Sequence, residues 1–131
     1  MSKATRISIK AELALLECLS NRTPESTDEE MRNSVSKLSD YRDGAIYVSY
    51  YDGNTEWERH PVGDEIVLVI EGQTTLILLE DGRETPNELH EGEFFVVPKN
   101  IWHRFETPSK MKVWSVTPQP TDHRVERPED S

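Results

Sequence analysis

Long apolar runs are missing from this chain. The longest, IVLVI at residues 66–70, falls far short of the roughly 20 residues that a spanning helix needs. Basic residues are scarce as well: 15 Lys and Arg stand against 25 Asp and Glu, for a formal net charge of -10. No cluster of Lys and Arg offsets the acids locally, so no electrostatic footprint exists for a phosphate backbone or an anionic lipid surface. Nucleic acid and membrane are therefore not expected as partners. Cysteine is reduced to Cys18, which excludes an internal disulfide; its place in AELALLECL suits a small buried hydrophobe better than a reactive thiol. The opening MSKATRISIK lacks the apolar centre of a secretion signal, and the expected location is the cytoplasm.

What is present has three textures. At 131 residues the chain is the size of one domain with a single core. Residues 1–43 are mixed: KAELALLECL is rich in helix formers, and Thr27-x-x-Glu30 is a capping signal followed by Met31, Val35 and Leu38 at helical spacing. These predict two short elements packed on the outside of the domain, while RISIK, residues 6–10, alternates as an edge strand would. Residues 44–118 change character. AIYVSYY, EIVLVI, TTLILL, EFFVV, WHRF and MKVWSV are separated by Asp-Gly, Glu-Gly and Pro turns, which predicts an all-β sandwich or barrel. Residues 119–131 hold two prolines and almost nothing apolar, and read as a polar tail.

The chemistry concentrates in TEWERHPVGDEIVLVIEG, residues 55–72. In an extended strand i and i+2 share a face, so Glu56, Glu58 and His60 point one way and Trp57 and Arg59 the other. A strand in a barrel can present polar groups inward where they converge on a metal or ligand. Glu65 can join them, because the Pro and Gly of HPVGDE turn the chain back alongside. His103, in EGEFFVVPKNIWHRF, begins a strand just after another turn. Two histidines and two carboxylates make a donor set for a divalent ion.

The two stretches resemble the paired motifs of the cupin superfamily, in particular its small single-domain members of the cupin 2 type. The first motif appears as Gly53, Glu58-x-His60, Glu65 and Gly72; the second as Gly92, Pro98, Asn100 and His103. The resemblance covers about two-thirds of the chain and implies a jelly-roll β-barrel over residues 44–118. It implies a divalent metal (Fe, Mn, Zn or Ni) held by Glu58, His60, Glu65 and His103, with Glu58 standing where the family has a histidine. A carboxylate there moves the site toward harder ions, and Glu58 serves either as ligand or as general base. Asn100 replaces a Gly, an exchange eased by the tolerance of Asn for left-handed backbone. Thr107 stands where the family often has Asn, and Gly53 is one residue closer to the first ligand position than usual.

The implied function is action on a small oxygenated organic molecule, in the manner of a dioxygenase or an isomerase or lyase, by a protein that is a homodimer. The alternative is a small-molecule binding module without metal or catalysis. Plainer roles stand beside each residue. His60 and His103 can be barrel-interior histidines held by hydrogen bonds, and Glu65 can pair with Arg59 or Arg104. Glu56 reads as a surface acid at a strand end, and His90 and His123 as solvated. Trp57, Trp102 and Trp114 read as core or interface aromatics, with Trp102 also placed to border a pocket mouth.

Overall fold

Strands form wherever β-branched residues and leucines run between turn residues, and the computed structural model describes residues 4–129. In chain order the elements are α1 (Ile9–Ala14), β1 (Leu19–Arg22), α2 (Asp28–Met31), β2 (Val35–Tyr41), β3 (Gly44–Asn54), β4 (Trp57–Arg59), β5 (Glu65–Glu71), β6 (Gln73–Glu80), β7 (Arg83–His90), β8 (Phe94–Val97), β9 (His103–Pro118) and β10 (Asp122–Arg124). Among the described residues the strands join in one ten-stranded sheet. β9 organises it. On one side β9 pairs with β3 along most of its length and with β4 at His103; on the other it pairs with β5 near Val113 and with β6 near Phe105. A strand with a change of neighbour on each edge has to bend, and the sheet curls around an interior as a β-barrel.

That interior holds Tyr51, Val67, Val69, Leu76, Leu78, Leu89, Val97, Phe105, Met111 and Val113. Side chains buried to this degree contribute about 1.5–3 kcal/mol each. β6 is buried on both faces, as its unbroken TLILL run requires: Leu76 and Leu78 face inward, whereas Ile77 and Leu79 meet Trp57 and Trp102 in a second cluster on the outside. The fold is all-β, as expected.

Three local expectations give way. RISIK is not a strand: Ser8 caps α1, its Oγ accepting from Ala11 N at 3.1 Å, and the following helix formers override the alternation. Leu13 is buried as α1 packs on β3. The Thr27–Glu30 capping box is present, yet α2 ends at Met31 and Val35 opens β2. Pairing of Val35 and Lys37 with Ser49 and Tyr47 of β3 satisfies backbone groups that a lone second turn of helix would leave at its end. The segment from residue 119 is polar and mostly exposed, as expected, but it is more than a tail, because β10 pairs antiparallel with β4. The backbone ladder and the Arg59–Asp122 ion pair at 2.9 Å hold it without apolar residues. The outermost parts of the two expected end segments, residues 1–3 and 130–131, lie outside the described residues. No helix among the described residues is long and apolar enough to cross a membrane.

Candidate metal centre

Glu58 is the middle residue of β4, directly opposite His103 of β9 on one side and His123 of β10 on the other. Cross-strand partners share a face, so a row of three ionisable side chains crosses three strands, while Trp57 and Arg59 point outward. His60 follows β4. Its carbonyl accepts from Asn100 N at 3.0 Å, and Asn100 adopts φ 70°, the left-handed turn that leads the chain into His103. Asp64 Oδ1 accepts from Lys99 N at 2.7 Å, which ties the HPVGDE turn to the same loop. Glu65 then heads β5 and faces His103.

His60 and His103 converge on Glu65, and Glu58 lies beside the two histidines. His103 Nε2 lies 3.1 Å and His60 Nε2 3.3 Å from the same atom, Glu65 Oε1. The donor atoms of Glu58, His60 and His103 lie within 4.8 Å of one another. His60, Glu65 and His103 are 3%, 6% and 0% exposed; Glu58 is partly open to solvent. Thr117 Oγ1 donates to Glu65 Oε2 at 2.6 Å and fixes the carboxylate.

Neighbouring groups assign the histidine tautomers. His103 Nδ1 lies 3.0 Å from the carbonyl of Ile101, which only accepts, so Nδ1 carries the proton. His60 Nδ1 lies 3.0 Å from Thr121 Oγ1. Thr121 donates its one proton to Gln119 Oε1 at 3.1 Å, and Gln119 Nε2 donates to Tyr47 Oη at 3.1 Å. Thr121 Oγ1 therefore accepts from His60 Nδ1–H. Both imidazoles are left with an Nε2 lone pair aimed at a carboxylate oxygen, and His60 Nε2 is buried with no hydrogen-bond partner. Three acceptors around one point repel unless a cation or a proton lies between them. Burial would raise the pKa of Glu65, but a proton on the facing imidazoles, that of His103 first and then that of His60, holds it well below the usual carboxylate range. Burial would lower that of His103, but the hydrogen bond and charge of Glu65, then the charge of Glu58, raise it.

Glu58 and Glu65 form part of the wall of a cavity of about 340 Å³, shared with Tyr51, Phe105, Thr117 and Thr121. Glu65 is not paired with arginine: Arg59 is held by Asp122, and Arg104 by Glu84 and Glu106. Glu56 is half-buried, its Oε1 2.7 Å from His123 Nδ1. His123 is exposed, in keeping with its reading as solvated, and it also lines the cavity and joins Glu56 and Glu58 in a second group of candidate donors. His90 lies apart, on β7 beside Glu88. Trp102 is buried in the outer cluster and does not border the cavity. Thr117, Gln119, Thr121 and His123 escape a reading by hydrophobic pattern, because their segment carries none. The cue available in the sequence is that TDHR alternates in a way that can pair with WER of β4.

The family model described as "Cupin domain" matches residues 48–129, more than half of the chain and inclusive of β10. The chain belongs to the cupin family. A crystal structure of a cupin-2 domain protein from Shewanella frigidimarina superposes on this cupin with a TM-score of 0.65 at 20% identity, over 86% of this chain and 94% of that one. A hydroquinone 1,2-dioxygenase from a Sphingomonas species with 4-hydroxybenzoate bound has a TM-score of 0.57 at 16% identity, over 70% and 67% of the two chains. An oxalate oxidase in complex with the substrate analogue glycolate has a TM-score of 0.52 at 19% identity, over 62% and 45%. Among curated proteins none matches the sequence.

Proposed function

We propose that this cupin holds a divalent metal ion with His60, His103 and Glu65, takes Glu58 as a further ligand, and acts on a small oxygenated organic molecule in the adjoining cavity. The observation that carries the reading is the buried, unpartnered His60 Nε2, converging with His103 Nε2 on one oxygen of Glu65. Two imidazoles and one or two carboxylates suit Fe, Mn, Zn or Ni. When bound, such an ion supplies Lewis acidity toward an oxygen of a small molecule. The chain's own residues do the rest. Thr117 orients Glu65, Thr121 and Ile101 hold the two Nε2 lone pairs in place, and Tyr51, Phe105 and Val113 give the cavity an apolar wall that limits water. Glu58, on the wall and partly exposed, either stays a ligand or, detached, accepts a proton from a bound molecule as a general base. The dioxygenase and oxidase among the fold neighbours support oxygenation as a candidate reaction, beside isomerisation or elimination. The reading includes a cytoplasmic homodimer; Phe94 and Val96, 62% and 46% exposed on one face of β8, offer a second copy an apolar surface.

The test is metal analysis of protein purified without chelator or nickel resin. Wild type should carry about one equivalent of metal, the number one such site allows. His60→Ala/His103→Ala should carry none, and Glu58→Ala an intermediate amount. Equal metal in wild type and the double variant overturns the reading. A second reading, a metal-free binder, is favoured by the 3.1 Å approach of His103 Nε2 to Glu65 Oε1: a proton shared between them can take the place of the ion. Tight ligand binding by metal-free protein, without turnover, would select it.

A further inference from the structure

Arg22 closes β1 and lines the same cavity. Its backbone is clamped by the register of β1 on β3. A Cβ on Gly53, the cross-strand partner, would meet Arg22 O and Arg22 N at 2.3 and 2.4 Å, so only glycine permits the approach, and Gly53 also adopts φ 103°. Asp52 Oδ1 fixes the preceding residue by accepting from Asn21 N at 2.6 Å. The guanidinium of Arg22 lies 4.8 Å over the ring of Tyr51, itself a buried cavity residue.

Arg59 and Arg104 also stack on aromatic rings, over Trp102 and Trp57, but both are held by carboxylates. Arg22 has none. Among the described residues its only recorded partner is the Tyr51 ring. A half-buried fork of five N–H donors with no carboxylate partner, on a clamped backbone and laid against a ring of the cavity wall, is a carboxylate-binding group without its carboxylate. Asp28 lies at the same cavity but is exposed, where water screens it.

We propose that Arg22 binds the carboxylate of a small monoanionic organic acid, whose remaining oxygen function faces Glu58 and Glu65. The inference rests on the reading of this cavity as a small-molecule site and names the class of molecule. Size and charge agree with it. A cavity of about 340 Å³ sits at the low end of the ~300–1,000 Å³ of ligand pockets, which admits a single ring or a short chain. A divalent ion offsets Glu58 and Glu65, leaving Arg22 to balance one negative charge; the further charge of a polyanion would be left unbalanced.

The experiment is calorimetric titration with matched acid and amide pairs: 4-hydroxybenzoate against 4-hydroxybenzamide, and glycolate against glycolamide. Wild type, Arg22→Gln and Arg22→Lys are each titrated zinc-loaded and metal-stripped, with circular dichroism to confirm folding. At least one acid should bind wild type about 10–100-fold tighter than its amide, the range expected for a charge-assisted pair. Arg22→Gln should abolish that preference while leaving amide binding in place. Arg22→Lys should keep part of it, since an ammonium retains the charge without the fork. Equal binding of acid and amide, no binding of either acid, or an undiminished preference in Arg22→Gln overturns the proposal. Should Arg22→Gln not fold, an undiminished preference in Arg22→Lys overturns it. An acid preference found only in the zinc-loaded form and undiminished in Arg22→Gln assigns the anion to the metal and also overturns it. An Arg22-dependent preference in protein that binds no metal sustains it and removes the metal reading instead.

Discussion

Buried clusters of opposite chemistry lie on the two sides of the sheet at β4. Outward, Trp57 and Trp102, 4% and 3% exposed, meet Ile77 and Leu79, and Arg104 and Arg59 stack over the two indoles. Inward, the equally buried His60 and His103 surround Glu65. Burying the outer cluster is favourable in proportion to its apolar area. Burying the inner one is costly unless each group is paired. At β4 the outer cluster thus adds to the stability of the fold, and the inner cluster gives some of it up for a site.

The widest separation between the faces should come from Trp57→Ala. Loss of this side chain should destabilise the fold by about 3–5 kcal/mol in urea unfolding, with metal bound per folded molecule unchanged. His103→Ala acts in the opposite sense. Metal affinity should fall beyond the roughly 100-fold that loss of an outer-sphere partner causes, measured by competition with a chromophoric chelator. Unchanged affinity would show that the inner face is built for hydrogen bonding alone.

A smaller effect sharpens the comparison within the inner face. Thr121→Val removes the acceptor of His60 Nδ1–H and should weaken metal binding by about 10–100-fold, while costing the fold only about 0.5–1.5 kcal/mol. Thr121→Ser should restore it. A structural role alone would move the unfolding midpoint without this dependence on the hydroxyl.

The smallest expected effect is in pH. In metal-free protein the pKa of Glu65 is held below its ordinary 4.5, so its stabilisation is present above that value and is lost as pH falls through the lowered one. The pKa of His103 is raised above its ordinary 6.5, so its stabilisation is complete below 6.5 and is lost as pH rises through the raised value. Together they place the pair's contribution at its greatest between 4.5 and 6.5. Metal requires neutral imidazoles, so loading should move the optimum above 6.5. Melting temperatures across pH, with and without zinc, check the shift; coincident optima would contradict it.

Much of the barrel was legible because its strands are apolar. TTLILL and EIVLVI, bounded by turn residues, read as buried strands, and the two stretches that hold Glu58, His60, Glu65 and His103 meet, His60 and His103 on Glu65 and Glu58 beside the two histidines. Asn100 was legible for a different reason: its position demanded a left-handed residue, and its backbone has that form. What stayed hidden was polar. β1 and β10 are strands by virtue of ladder hydrogen bonds and a few charges, with no apolar alternation to reveal them. The groups that orient His60, namely Thr121 and Gln119, and the cavity cation Arg22 lie on or beside those two strands. Their roles exist only across strand pairings that the sequence does not announce. In residues 6–10 the sequence pointed the wrong way, because alternation in RISIK competed with a Ser cap and a run of helix formers, and the helix won.

The bond between His60 and Thr121 joins residues 61 positions apart, and this separation sets a timetable for assembly. At about 5–20 residues per second of synthesis, His60 exists for about 3–12 seconds before Thr121 is made. Through that interval the imidazole is free to rotate and to exchange tautomers, and the second strand beside β4 does not yet exist. An ion captured early would meet a ligand of undefined direction. Orientation of the centre is therefore a late event in the life of each chain, set by residues far from the motifs that supply its donors.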